Sequence, residues 1–200
     1  MPSSPWPDRR RALGAGAALL AGAWQPARAD ERVRDLLRAG GVVVAFRHAL
    51  APGTFDPPGF TLGDCSTQRN LSEEGRAQAR RVGAWFKAGT LVPARVRSSP
   101  WCRCIDTATL AFGGEPERWA ALGSPRGSSE QTNVESLQKL RAALRAVAAA
   151  RGGNPRFEAW VTHMFVLSAL TGENSASGEG LVLAPGPGDA VRVLARLSIS

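Results

Sequence analysis

The run Gly41-Val-Val-Val-Ala-Phe46 constrains the fold more than any other segment. It is continuously apolar and rich in β-branched residues. Such a run suits a strand covered on both faces, as in the centre of a parallel sheet. The chain leaves it directly into Arg47-His48. A second run, Phe157–Thr162, also reads as a strand and ends at His163. The sequence holds only these two histidines. In open α/β sheets the ligand crevice lies at the carboxyl ends of the strands. His48 and His163 are therefore expected to meet in one site.

The segments between these runs alternate in character. Glu31–Arg38 carries Val33, Leu36 and Leu37 at helical spacing, with Gly40 and Gly41 as a stop. Residues 51–70 are rich in Pro and Gly and read as a loop. Ser72 is an expected N-cap for a helix reaching about Lys87, with Ala79, Val82 and Phe86 on its buried face. Ala94–Ser98 reads as a short strand, and Trp101–Phe112 as a helix. Residues 113–132 read as a loop with one helical turn near Trp119. Asn133–Arg151 is the clearest helix, with Leu137, Leu140, Leu144 and Val147 in register. A short helix over Met164–Leu170 is expected next. Leu181–Leu183 and Ala190–Leu197 flank Pro185-Gly-Pro-Gly-Asp189 as a hairpin. The pattern predicts an α/β fold: a single three-layer α/β/α domain with a mostly parallel central sheet.

The N-terminal 29 residues have the character of an export signal. Arg9-Arg10-Arg11 precedes a weakly apolar Ala/Gly-rich run, and Ala27-Arg28-Ala29 offers small residues for cleavage. The arginines and Leu13 resemble a twin-arginine signal. The apolar run falls short of the ~20 residues that span a bilayer, so cleavage is expected rather than a stable membrane anchor. Residues 30–200 would then form the domain, exported and periplasmic. Residues 1–29 hold four Arg and one Asp, so their loss lowers the net charge from +8 to +5. That is mildly basic, not a nucleic-acid footprint. It suits a small anionic substrate. Cys65, Cys102 and Cys104 all lie in the remaining chain. An oxidising compartment favours one disulfide, expected between Cys65 and either Cys102 or Cys104. Cys102-x-Cys104 supplies too few ligands for zinc, so no metal site is expected.

Two arginines join the histidines. Arg47 precedes His48, and Arg103 lies near the start of a helix that follows a strand end. Guanidinium groups hold phosphate oxygens bidentately, and helix N-termini add amide donors. Only Lys87 and Lys139 among the 25 basic residues are lysine, so one arginine alone says little. The expectation rests on convergence.

Four ordered motifs resemble the histidine phosphatase superfamily, which includes phosphoglycerate-mutase-like enzymes. They are Arg47-His48-Ala49, Leu71-Ser72-Glu73-Glu74-Gly75-Arg76-Ala77-Gln78-Ala79, the segment Ser98-Ser99-Pro100 to Arg103 and Thr107-Ala108, and Val161-Thr162-His163. The resemblance implies a phosphomonoester hydrolase that uses no cofactor. His48 would accept the phosphoryl group, and Arg47, Arg103 and His163 would hold it. The resemblance also suggests a phosphate contact from Asn70. The partner implied is a small phosphorylated substrate. The family's general acid has no clear counterpart; Glu130 is the first candidate, with Glu135 and Glu173 behind it. Two other readings compete: a phosphate-ester-binding protein without turnover, and a thiol-redox or metal-binding protein built on the cysteines.

Overall fold

The computed structural model describes residue 1 and residues 25–124, 131–150 and 156–199. Helix α1 (Gln25–Ala39) leads into strand β1 (Val43–Arg47). Helix α2 (Glu73–Ala88), strand β2 (Arg95–Ser98), helix α3 (Cys102–Phe112) and a short strand β3 (Glu117–Arg118) follow. Helix α4 (Val134–Ala149), strand β4 (Glu158–Thr162), helix α5 (Met164–Thr171), and strands β5 (Gly180–Pro185) and β6 (Val191–Leu197) complete the domain. One six-stranded sheet results, in the order β3-β2-β4-β1-β5-β6. Strands β3, β2, β4 and β1 pair in parallel, and the β5–β6 hairpin adds antiparallel to β1. The fold is a single α/β domain with a mostly parallel sheet between helices.

Strand β1 shows why its sequence is apolar throughout. Val42, Val44 and Phe46 pack into one core with residues of α1, α2 and α3. Val43 and Ala45 pack into a second core with residues of α4 and α5. Successive side chains of a strand point to opposite faces, so a strand with helices on both sides has no polar face.

The predicted elements differ from the structure in two instructive places. Helix α1 begins at Gln25 and runs across the Ala29–Asp30 position where cleavage is expected; most of the expected signal lies outside the described residues. Residues Glu117–Arg118, expected in a loop, form strand β3 against the edge of β2. Two exposed charged residues carry no apolar alternation. This strand exists only because β2 offers unpaired backbone groups.

Candidate active site

Register assembles the site. In the β1–β4 ladder Arg47 lies opposite Thr162. The next residue on each strand is a histidine, and the His48 amide donates to the Thr162 carbonyl at 2.9 Å. The two rings stand 5.6 Å apart, centroid to centroid, at 70°. In the β2–β4 ladder Ser98 lies opposite Val161, and the Ser99 amide donates to the Val161 carbonyl. Three adjacent parallel strands thus end at one edge with Ser99, His163 and His48. Helix α3 starts there, with Arg103 in its first turn.

The motifs around His48 hold it from the α2 side. Ser72 caps α2 by accepting from the Gly75 amide, and its own amide donates to the Leu50 carbonyl. A Cβ on Gly75 would clash with that carbonyl oxygen, so only glycine permits this approach. Gln78 accepts from the Leu50 amide through Oε1 and donates to the Ser177 carbonyl through Nε2. Ala79 is fully buried. Thr107 Oγ1 accepts from the Ala49 amide and donates to the Arg103 carbonyl. These contacts leave the chain after β1 one path.

The hydrogen bonds of His48 fix its reactive atom. Nδ1 lies 2.8 Å from the Ala49 carbonyl oxygen. A carbonyl can only accept, so Nδ1 carries the proton and Nε2 keeps its lone pair. Burial lowers the His48 pKa to about 3, and the charges of Arg103, Arg69 and Arg47 act in the same direction against the Ala49 hydrogen bond. The ring is neutral at pH 7.

His163 is held on several sides. Its Nε2 lies 2.8 Å from Ser99 Oγ and 3.5 Å from Cys104 Sγ. Phe165 stacks on the ring, and Trp101 meets it edge-on. Burial, then Arg103 and His48, hold its pKa well below 6.5. His163 is therefore neutral in the free protein. The positive charge near the two rings comes from Arg103, Arg69 and Arg47.

Arg103 is fully buried. Its Nη1 donates to Asp56 Oδ1 at 2.8 Å and lies 3.1 Å from Oδ2. Arg47 is half-buried, and its Nη1 donates to the Ser175 carbonyl at 3.0 Å. Arg69 donates through Nη1 to the carbonyls of Ala51 (2.6 Å) and Gly53 (2.9 Å), and its charge reaches both histidines. Gly53 has φ +87°, so the loop's turn toward Arg69 favours glycine.

Four expected site residues, Arg47, His48, Arg103 and His163, lie together where β1 and β4 end and α3 begins. Asn70 does not take the expected role: its Nδ2 donates to the Cys65 and Gln68 carbonyls. Both amide hydrogens are spent bracing the loop, and the oxygen that remains cannot donate to a phosphate. Glu130 lies outside the described residues. Glu135 pairs with Lys139, and Glu173 with Arg196, both at the surface. Cys65 is bonded to Cys102, and Cys104 is a buried free thiol pushed up to about 12 by burial. Among the described residues no group of three or more His, Cys, Asp or Glu could hold a metal ion. No helix among them is long and apolar enough to cross a membrane.

Sequence reasoning missed Asp56, Arg69, Ser99 and Thr107 as site components. Ser99 and Thr107 lie within a quoted motif, and Arg69 directly precedes Asn70. Asp56 sits among Pro and Gly with no local pattern to mark it.

Comparisons with known proteins give a match in part of the sequence and a likeness in fold. Residues 64–123 match the model of the histidine phosphatase superfamily (branch 1). The fold is similar to that of the protein histidine phosphatase SixA complexed with tungstate, with TM-score 0.54 and 17% identity over 78% of this chain and 96% of that one. It is similar to a putative alpha-ribazole-5'-P phosphatase from Escherichia coli, with TM-score 0.54 and 12% identity over 80% and 97%. A mycobacterial glucosyl-3-phosphoglycerate phosphatase gives TM-score 0.54 and 16% identity over 77% and 97%. No curated protein matches the chain in sequence. The chain thus matches the histidine phosphatase superfamily (branch 1) model over residues 64–123 and shares its fold with these solved phosphatases.

Proposed function

We propose that the chain is a phosphomonoester hydrolase that works through a phosphohistidine on His48 and needs no metal. The observation that carries this reading is the His48 ring: neutral, its Nδ1 proton tied to Ala49, its Nε2 lone pair beside His163 and three arginines. Nε2 would attack phosphorus in line and expel the ester oxygen. Water would then hydrolyse the phosphohistidine, releasing phosphate and the free ring. Arg47 and Arg103 would stabilise charge on the phosphoryl oxygens. His163, neutral beforehand, would donate a hydrogen bond to the same oxygens and gain basicity as the dianion arrives. Tungstate and VO3, bound in two of the similar structures, are tetrahedral or phosphate-like anions and fit this reading. Export by a cleaved signal up to Ala29 remains part of the proposal, and the substrate is then a phosphate ester outside the cytoplasm.

Rapid quench with labelled aryl phosphate tests the chemistry. An acid-labile, base-stable phosphoenzyme is expected in the wild type and none in His48→Ala. Phosphate binding with no turnover and no phosphoenzyme would instead identify a binding protein.

A further inference from the structure

Asp56 brings negative charge to the place where a phosphate is expected. Its side chain is only 4% exposed, and that of Arg103 is fully buried. Three donors converge on the carboxylate. Arg103 Nη1 reaches both oxygens, the indole Nε1 of Trp101 donates to Oδ2 at 3.0 Å, and the Arg69 amide donates to Oδ1 at 2.9 Å. Trp101 in turn meets the His163 ring edge-on, and Arg69 is the third arginine whose charge reaches both histidines. One loop side chain therefore touches the clamp, the residue that walls His163, and the backbone of a second site cation.

A buried carboxylate beside an anion site is costly for ground-state binding, because like charges repel. Its effect on geometry runs the other way. A long arginine side chain loses rotamer freedom when fixed. Two oxygens on one Nη atom fix the guanidinium before any ligand arrives. Arrangement before the reaction matters in phosphoryl transfer, where misplacement by about 1 Å can cost ~100-fold in rate.

We propose that Asp56 is a positioning residue: it aims Arg103 at the transferring phosphoryl group and thereby trades anion affinity for turnover. This rests on the reading of Arg103 as a clamp for the group that His48 accepts.

The test is a double-mutant cycle on the full chain, read in both turnover and binding. Asp56→Asn should lower kcat on an aryl phosphate by ~10–100-fold, the scale of a misaimed clamp. Inorganic phosphate, measured by calorimetry, should bind it as tightly as wild type or tighter. In an Arg103→Ala background, Asp56→Asn should change kcat less than ~2-fold, because the residue it acts through is gone. Asp56→Glu keeps the charge and displaces it by one methylene; it should fold normally, hold phosphate as wild type does, and still lose turnover. Equal loss of kcat with and without Arg103 would overturn the proposal. So would a parallel loss of phosphate affinity, kcat and Tm in both variants, the mark of a merely structural pair. If the wild type shows no phosphoenzyme, the phosphatase reading fails. The Asp56 assignment then stands or falls on phosphate binding, which Asp56→Asn should leave as tight as wild type or tighten and Arg103→Ala should weaken.

Discussion

The two flanks of the crevice are built differently. On one flank, His48 and His163 hang from the ends of paired central strands, and backbone register places them. On the other, the loop 51–70 is held to the start of α3 by side chains: the Cys65–Cys102 disulfide, the Asp56–Arg103 ion pair, the Trp101–Asp56 hydrogen bond and Gln68 Oε1 accepting from the Cys102 amide. The first flank shares its stability with the whole core. The second rests on a few contacts, any of which one substitution removes. The difference teaches that His48, the proposed nucleophile, is fixed by the sheet, while Arg103, the proposed clamp, is tuned by a loop.

Substitutions can break this comparison. His48→Ala should produce the largest effect, a fall in turnover of ~10⁴-fold or more, because it removes the side chain proposed to form the covalent intermediate. Its fold should survive, with Tm near wild type, since the sheet and not the imidazole sets the register. Activity close to wild type in this variant would reject the phosphohistidine mechanism. Arg103→Ala should cost ~10²–10³-fold in turnover, the usual scale for a lost transition-state donor, and should also weaken phosphate binding. It leaves Asp56 buried without its cation, so it should lower Tm as well.

Smaller effects sharpen the comparison. The Cys65–Cys102 bridge closes a loop with a sequence separation of 37. Cys65→Ser with Cys102→Ser should cost ~2–4 kcal/mol in chemical unfolding. Turnover should fall less than in Arg103→Ala, because Asp56 still holds the clamp. A reduced or doubly substituted protein as stable as wild type would show that the loop flank does not need the bridge. Gly75→Ala drives a Cβ into the Leu50 carbonyl, two residues past His48, and should cost ~1–3 kcal/mol together with part of the turnover. A further test uses pH. Both histidines have folded values depressed below the ordinary 6.5, His48 to about 3. Between these values the unfolded chain binds more protons than the folded one. Their contribution to stability is therefore fully present above about pH 6.5 and is lost as the pH falls toward 3. A stability profile that stays level from pH 7 to pH 4 in wild type, and matches that of His48→Asn, would contradict neutral buried rings.

Much of this arrangement was legible in the chain itself. An apolar run needs cover on both faces, so Val42–Phe46 marks the central strand without any tertiary information. A histidine directly after such a strand has one edge of the sheet to occupy, so His48 and His163 could be placed together. The Ser72 cap follows from capping chemistry, whereas the need for glycine at position 75 comes from its tertiary approach to the Leu50 carbonyl. What the chain did not disclose is how side chains from irregular backbone meet. Cys102 and Cys104 lie two positions apart on α3, on different faces of the helix. Only its packing turns Cys104 inward to His163 and Cys102 outward to Cys65. Asn70 has the right position for a phosphate contact, yet the loop's own carbonyls take its amide hydrogens. Asp56 is a polar residue between Phe55 and Pro57, with no periodicity to signal burial. Its meeting with Arg103 is decided by the path of the loop in three dimensions, because a loop's course depends on contacts distant in sequence, whereas a strand or helix announces its faces residue by residue.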